Sequence, residues 1–190
     1  MPFARAWRDA AVDRKPGRFS LPRTVPGACN PELTWTTPRR YQTSWSLRVF
    51  LIDTNVLVYA HRVDAAQHDR YRAWLENLLS SDTAFGISDL ILSSFLRIVT
   101  HPRVFRDPTP LDAALAFTTE VRDHPNGVSI APGERHWDIF QRLCRAVGAR
   151  GNLVPDAFLA ALAIEAGAEW VTTDRDYARF PGLRWRHPLQ

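Results

Sequence analysis

The chain has 190 residues, 45% of them hydrophobic, which is enough for one globular domain with a real core and too few for two ordinary domains. No run of about 18 apolar residues occurs, so the sequence predicts no transmembrane helix. Two cysteines, Cys29 and Cys144, are too few for a disulfide framework or a cysteine metal site. Because the N-terminus also lacks the apolar stretch of a secretory signal, we expect a cytoplasmic protein.

The net charge of +4 is distributed unevenly. Residues 1–48 contain nine Lys/Arg and three Asp/Glu, whereas residues 49–190 contain 15 arginines and 17 acids. Residues 1–48 also hold six of the 14 prolines and show no apolar periodicity, which predicts a basic, mostly disordered extension. Its arginines and tryptophans could attract RNA. The alternative hypothesis is that translation starts near Leu47 or Val49, so that the extension is not made.

The first strong structural signal is a run of four apolar residues at 49–52. Such a run is too short for a globular helix and is typical of a buried strand. Continuously apolar strands occur in parallel sheets that are covered on both faces. Asp53 follows at once, and ligands of open α/β sheets bind at the carboxyl ends of the strands. Asp53 is therefore the first candidate residue of an active site.

Strand and helix signals alternate along the rest of the chain, which predicts an α/β fold with a mainly parallel sheet. Residues 64–79 carry a single apolar stripe with helical spacing. Ser88 is expected to cap the following helix, and Pro155 to open a helix that is apolar nearly all round and therefore buried. One face of the helix at 134–147 carries Trp137, Phe140, Cys144 and Val147. After the first strand, the predicted elements are helix 55–61, helix 64–79, strand 84–87, helix 89–99, helix 111–121, strand 128–130, helix 134–147, helix 156–166, strand 169–172 and strand 183–186.

Three aspartates lie where such a fold can bring them together. Asp53 follows the first strand, Asp156 lies in the first turn of the buried helix, and Asp174 follows the strand at 169–172. The carboxyl ends of parallel strands share one edge of the sheet, so acids far apart in sequence can converge there. Converging carboxylates repel one another unless a cation lies among them. Oxygen ligands without paired His or Cys suit Mg²⁺ or Mn²⁺, and such a site can hydrolyse a phosphodiester bond.

Each acid also has a purely structural interpretation. Asp156 could be a helix N-terminal acid that the helix dipole stabilises, and Asp174 could be an ordinary turn residue. Asp53 is the hardest to explain in this way, because it directly follows a buried strand. An aspartate after a strand also occurs in haloacid-dehalogenase-like phosphatases, but these need a second aspartate two residues later, where this chain has Asn55.

Three segments carry a resemblance to a known family: LIDTN at 51–55, GNLVPDA at 151–157 and TDRDYARFPGL at 173–183. With them, residues 49–190 resemble the PIN domain, specifically the toxins of VapBC-type toxin–antitoxin pairs. The resemblance implies a PIN-like α/β/α sandwich, with helices on both faces of a mainly parallel sheet. It also implies Asp53 and Asp156 as the principal Mg²⁺ ligands and Asp174 as a further metal or water-positioning acid. Residues implied to hold waters, orient these carboxylates or touch a second ion are Thr54, Asn55, Thr173 and Asp176.

The sequence departs from the family pattern at one position. The segment SSFLRIVTHPR at 93–103 matches a family segment that often carries glutamate where Ser94 stands here. The nearest acid is Asp89, about 140° away around the helix, so it is not a simple replacement. Asp89 is expected to supply the missing carboxylate from the first turn of the helix. Alternatively, it is only an acid that the helix dipole favours.

The resemblance implies a function and partners. The expected function is an Mg²⁺-dependent endoribonuclease that cuts RNA such as tRNA or rRNA, acts as a toxin and is silenced by a cognate VapB-type antitoxin. The family also suggests a homodimer. A non-enzymatic alternative is a PIN-like fold that has lost a catalytic acid and binds RNA or a protein.

Overall fold

The computed structural model describes residues 49–190, so the predictions for residues 1–48 lie outside the described residues. Five parallel strands form one sheet in the order β3-β2-β1-β4-β5. The apolar run at 49–52 forms the central strand, as its sequence predicts. The strands are β1 (Phe50–Ile52), β2 (Phe85–Ile87), β3 (Gly127–Ser129), β4 (Glu169–Val171) and β5 (Trp185–Arg186).

The helices fall into two groups. Within one group α1 packs against α2 and α3, and α3 against α4, while α5 packs against α6. The steps from β1 to β2 and from β2 to β3 run in one direction along the sheet, and the step from β3 to β4 runs back. Because such crossovers are right-handed, the two groups cover opposite faces. The helices are α1 (Thr54–His61), α2 (His68–Ser80), α3 (Asp89–Val99), α4 (Leu111–Arg122), α5 (His136–Val147) and α6 (Leu153–Glu165).

The core lies between the sheet and these helices. Leu51 and Ile52 of β1 and Trp170 of β4 are fully buried, as expected for strands that are covered on both faces. Helix α6 buries small residues, and Ala160 and Ala161 let it lie close to its neighbours. The apolar stripe of α2 is buried except at Trp74, which is partly exposed. In the described residues, no helix is long and apolar enough to cross a membrane.

The helix starts that differ most from the predicted ones are those of α2 and α6. Helix α2 begins at His68, after Gln67 adopts a left-handed conformation (φ 59°), and not at residue 64. Helix α6 begins at Leu153, which places Pro155 at its third position and not at its first. Proline is tolerated there because the first amides of a helix have no partner within the helix. Asp156 remains in the first turn, as predicted.

Helix α5 exposes much of the face that its sequence pattern singled out. The side chains that it buries are His136, Ile139 and Leu143, whereas Trp137 is 60% exposed. Phe140 is only partly buried. Aromatic rings of α5 therefore reach from the core to the surface.

Candidate active site

The three aspartates lie around the switch point of the sheet. From β1 the chain first builds the sheet outward through β2 and β3, and it then returns to place β4 on the other side of β1. Ligands of open α/β sheets bind at such a point, beyond the carboxyl ends of the two strands. Asp53 follows β1 directly, and Asp174 follows β4 after two intervening residues. The Asp53 amide donates a hydrogen bond to the Val171 carbonyl at 2.9 Å, which fixes the ends of β1 and β4 side by side.

Two neighbouring side chains hold the Asp53 carboxylate. Its Oδ2 accepts hydrogen bonds from Asn55 Nδ2 at 2.7 Å and from Thr172 Oγ1 at 2.5 Å. Asn55 Nδ2 also donates to Thr172 Oγ1 at 2.9 Å, so that each of the three side chains is hydrogen-bonded to the other two. Because Thr172 is fully buried, this arrangement has little freedom to rearrange.

Burial perturbs the acidity of Asp53, which is only 6% exposed. Desolvation raises the pKa of Asp53 to about 6, against the lowering effect of its hydrogen bond from Thr172 and of nearby backbone amides. The negative charge of Asp156 raises this pKa further. A nearby cation would reverse this balance, because it favours the ionised form.

Asp156 reaches the same site from the first turn of α6. It is half-buried, and its pKa is raised by desolvation first and then by the charges of Asp174 and Asp176. A hydrogen bond with the Tyr177 side chain lowers the pKa of Asp156 and so opposes these effects. Tyr177 is 3% exposed and packs against Trp170, with the ring centroids 5.2 Å apart. A buried phenol is therefore held beside the carboxylates.

Asp176 belongs to a short 3-10 helix, Arg175–Arg179, that follows β4, and Asp174 directly precedes this helix. Asp174 caps this helix, and its Oδ1 accepts a hydrogen bond from the Asp176 amide at 2.8 Å. Asp176 is exposed and forms an ion pair with Arg179 at 2.9 Å. Asp176 is thus exposed at the margin of the site, although its charge, like that of Asp174, raises the pKa of Asp156.

The side chains that support the carboxylates differ in part from those predicted. Thr54 donates its hydroxyl to the Ile91 carbonyl at 3.4 Å and so connects α1 to α3. Thr173 contributes its backbone amide, which donates to Asn55 Oδ1 at 3.3 Å. The hydroxyl that contacts Asp53 belongs to Thr172, which the sequence interpretation overlooked, as it did Tyr177. The available signal for Thr172 was a polar residue directly after the apolar end of a buried strand.

The structure does not place Asp89 with the other acids, which corrects the expectation that it supplies the missing carboxylate. Asp89 is exposed and accepts hydrogen bonds from Arg122 Nε at 2.9 Å and Nη2 at 3.4 Å. This hydrogen bond and the positive charge of Arg122 hold the pKa of Asp89 below its usual value. The physical reason is the packing of α4 against α3, which presents an arginine to Asp89. Asp89 therefore does not replace the glutamate that the family often carries at the position of Ser94.

The carboxylate oxygens of the site fit a hard divalent cation that binds only a few protein ligands. Within residues 49–190, no three His, Cys, Asp or Glu side chains converge closely enough to hold a metal ion without further ligands. Mg²⁺ does not require such a group, because it keeps several waters and binds through one or two carboxylates plus substrate phosphate. Asp53 and Asp156 meet that requirement. Desolvation raises the pKa of both carboxyl groups, and at Asp156 the positive charge of Arg179 offsets the rise only in part.

A parallel sheet with acidic side chains converging at its switch point defines an α/β protein whose site is suited to a metal ion. The PIN domain family model matches residues 50–183. The chain belongs to the PIN-domain family and, within it, to the VapC ribonucleases. It is 46% identical over 138 residues to VapC ribonuclease Mb2897 of Mycobacterium bovis, covering 73% of this chain and 94% of that protein. It is 41% identical over 140 residues to ribonuclease VapC25 of Mycobacterium tuberculosis, covering 74% and 99%.

Solved structures share the fold at lower sequence identity. VapBC2 from Rickettsia felis, bound to a DNA fragment from its promoter, includes a chain with a TM-score of 0.53 and 19% identity, covering 73% of this chain and 98% of that one. The VapBC structure from Salmonella typhimurium gives a TM-score of 0.53 and 19% identity, with 75% and 99% covered. At these identities the likeness establishes the fold alone.

Proposed function

We propose that this protein is a metal-dependent endoribonuclease that hydrolyses RNA phosphodiester bonds and acts as the toxin of a toxin–antitoxin pair. The observation that carries the proposal is the buried Asp53 carboxylate beside Asp156 at the switch point of the sheet. A buried charge next to a like charge is costly and needs a compensating cation. The relatives named ribonucleases, up to 46% identical, support RNA as the substrate.

Asp53 and Asp156 would hold Mg²⁺, with Mn²⁺ as a plausible substitute and Asp174 as a further ligand or water-positioning acid. When bound, the metal supplies an activated water and neutralises the charge that develops on the phosphate. Thr172 and Asn55 keep the Asp53 carboxylate in one orientation through their hydrogen bonds. Burial keeps bulk solvent from Asp53, whereas the half-buried Asp156 remains accessible to a substrate phosphate.

The partners belong to the same proposal. Several structures of similar fold are VapBC complexes, which supports a cognate VapB-type antitoxin for this chain. The expected substrate is a cellular RNA such as tRNA or rRNA, and the expected oligomer is a homodimer. The described domain, residues 49–190, carries 15 arginines and 17 acids, so RNA must be attracted by local arginine patches and not by the net charge of the domain.

A ribonuclease assay on the purified, antitoxin-free protein tests this proposal. Labelled tRNA and total RNA are incubated with Mg²⁺, with Mn²⁺ and with a chelator. We expect cutting only with metal, and Asp156→Asn should lower it by about 10²–10³-fold because a charge-stabilising ligand is lost. The matched control is Asp112→Asn, which also removes a first-turn carboxylate, but from the exposed start of α4. It should cut at nearly the wild-type rate.

Metal binding is measured separately by thermal unfolding. Mn²⁺ should raise the melting temperature of the wild type but not that of Asp53→Asn, because only the native site binds the ion. If folded protein neither cuts RNA nor gains stability from Mn²⁺, the enzyme proposal is overturned. The chain would then be a PIN-like binding module, which the lack of an acid at Ser94 also favours.

A further inference from the structure

A cavity of about 300 Å³ opens at the same edge of the sheet as the acids, beyond the ends of β2 and β3. Neither Asp53, Asp156 nor Asp174 lines it. Asp89 does, but its carboxylate is already paired with Arg122. The apolar part of the lining consists of Leu90, Ile130, Ala131, Pro132 and Phe158. An apolar cavity with a few polar groups is typical of a site for a small organic group.

The distance from the cavity to the acid cluster is about the length of one or two nucleotides. Strand β2 is the neighbour of β1, and β3 is the next strand outward. Since adjacent strands are about 4.8 Å apart, the ends of β2 and β3 lie roughly 5 and 10 Å from the end of β1 along the sheet. Phe158 follows Asp156 by two residues, about 200° around α6. The first two turns of α6 therefore direct an acid to one side of the helix and an aromatic ring to the other.

Ser88 gives the cavity a polar group without a partner. It is 3% exposed, and although it occupies the N-cap position of α3 its side chain makes no capping hydrogen bond. Within residues 49–190 its hydroxyl takes part in no side-chain hydrogen bond. Ser88 lines the cavity and its hydroxyl is not sealed from solvent, so a ligand that offers a donor or an acceptor can hydrogen-bond to it there.

Phe158 forms an aromatic wall of the cavity, and neighbouring rings hold it in place. Its ring lies 4.2 Å from the His136 ring and 5.6 Å from the Phe140 ring, measured between centroids. A hydrogen bond of 3.0 Å between His136 Nε2 and the Phe158 carbonyl holds the two helices in register. A ring that is fixed in this way provides a stacking surface, and single-stranded nucleic acids bind proteins by stacking their bases on such rings.

We propose that this cavity binds one unpaired nucleobase of the RNA substrate, close to the phosphate that is cut. The base stacks on Phe158, and its polar edge hydrogen-bonds to the Ser88 hydroxyl. This inference rests on the proposed ribonuclease function and extends it to sequence preference. A nucleobase fits better than an apolar side chain of a protein partner, because such a side chain would leave the Ser88 hydroxyl unpaired.

The test is the cleavage of random-sequence RNA by the full chain, followed by sequencing of the cut ends. Ala131→Leu narrows the cavity, and Ser88→Ala removes the hydroxyl. Ala73→Leu is the matched control, because it makes the same change at an exposed position of α2. We expect the wild type to prefer particular bases at one position near the cut. Ala131→Leu should cut the preferred sequences at least about tenfold more slowly and lose that preference.

Ser88→Ala should retain cutting but discriminate about tenfold less between bases at that position, while Ala73→Leu should match the wild type. The inference is overturned if Ala131→Leu, shown to be folded by its melting curve, keeps the wild-type preference. It is also overturned if that variant cuts normally but escapes inhibition by the antitoxin, because the cavity then belongs to a protein partner. If the wild type cuts no RNA, the proposed function fails, and this inference fails with it.

Discussion

Asp53 is a buried carboxylate whose surroundings favour the protonated form. Its pKa is raised to about 6 by desolvation, so the folded state binds a proton that the unfolded state has released between about pH 4 and pH 6. The stability that this proton contributes is complete below the unfolded pKa and is lost as the pH rises through 6. Metal-free protein should therefore carry a penalty at neutral pH that a bound cation relieves.

The free energies of unfolding of the wild type and Asp53→Asn, both in chelator, test this prediction. From pH 4 to pH 7 the variant should gain about 2 to 3 kcal/mol relative to the wild type, because asparagine cannot ionise. Asp89→Asn is a control for which we expect the stability difference from the wild type to change with pH in the opposite direction. The pKa of Asp89 is lowered, so this variant should lose a little stability relative to the wild type as the pH rises, since the ion pair is exposed. A pH-independent difference between wild type and Asp53→Asn would contradict the account.

A substitution at Tyr177 distinguishes the effect of its hydroxyl group from the effect of its ring packing. Tyr177→Phe keeps the ring that packs against Trp170 and Phe180 but removes the hydroxyl that interacts with Asp156. We expect the pKa of Asp156 to rise further, measured by NMR titration of its carboxyl carbon in chelator, at a stability cost of about 1 kcal/mol. Tyr59→Phe, at the far end of α1, should leave that pKa unchanged. An unaltered Asp156 titration in Tyr177→Phe would show that the hydroxyl has no influence there.

Sequence signals located the acids better than their supporting side chains. Asp53 was predictable because it ends a continuously apolar strand, which is a local pattern. Thr172 and Tyr177 were missed because the hydroxyl that meets a carboxylate depends on how β4 lies against β1, which no local pattern contains. Asp89 was misplaced because its partner Arg122 is 33 residues away and meets it only through packing of α4 on α3.

At the level of elements, the alternation of strands and helices was predictable from periodicity, and the helix starts were less so. Gly151 adopts a positive φ of 56° just before α6, which lets the chain enter that helix earlier than the proline signal indicated. Proline marks positions where a free amide is not needed, and a helix has several such positions in its first turn. The exact start therefore depends on the preceding turn.

One arginine connects α1 to the segment between α3 and α4. Arg62, at the end of α1, pairs with Asp64 through two hydrogen bonds of 2.7 and 2.8 Å and donates to the Asp107 carbonyl at 2.8 Å and to Thr109 Oγ1 at 3.1 Å. Its guanidinium also lies 4.1 Å from the centre of the Phe105 ring. A single buried cation thus fixes a loop that has no secondary structure of its own.

Replacing Arg62 should loosen that loop. Arg62→Ala is expected to lower the free energy of unfolding by about 2 kcal/mol, because the Asp107 carbonyl and the Thr109 hydroxyl lose a charged donor. Arg62→Lys should recover little of this loss, because a lysine cannot form the two-pronged pair or stack on the ring. The control is Arg145→Ala at an exposed site, with an effect within about 0.5 kcal/mol. Equal denaturation midpoints for Arg62→Ala and Arg145→Ala would refute the role assigned to Arg62.

At the level of the whole molecule, the excess of basic over acidic residues lies outside the described domain. Residues 1–48 carry a net charge of +6 and residues 49–190 a net charge of −2. Binding that releases counterions from RNA weakens with salt in proportion to the number of phosphates contacted. If residues 1–48 contact RNA, the full chain should show a steeper fall of log K with log salt than residues 49–190 alone.

Fluorescence anisotropy with labelled RNA, in the Asp53→Asn background to prevent cutting, measures both slopes. We expect the slope of the full chain to exceed that of residues 49–190 by several units, since nine basic residues are added. A variant of the full chain with Arg39 and Arg40 replaced by glutamine should lie between the two. Identical slopes would mean that these residues do not take part in RNA binding.

The pairing of β1 with β4 also sets when the acid site comes into existence. Asp53 and Thr172 are separated by 119 residues along the chain, and their contact requires every intervening strand and helix to have been synthesised. Contacts between such distant residues form late, because a long loop must close first. A growing polypeptide on the ribosome therefore has no assembled acid site until its final segment has emerged. For nearly the whole of its own translation, the chain therefore lacks the acid site that we propose for cutting RNA.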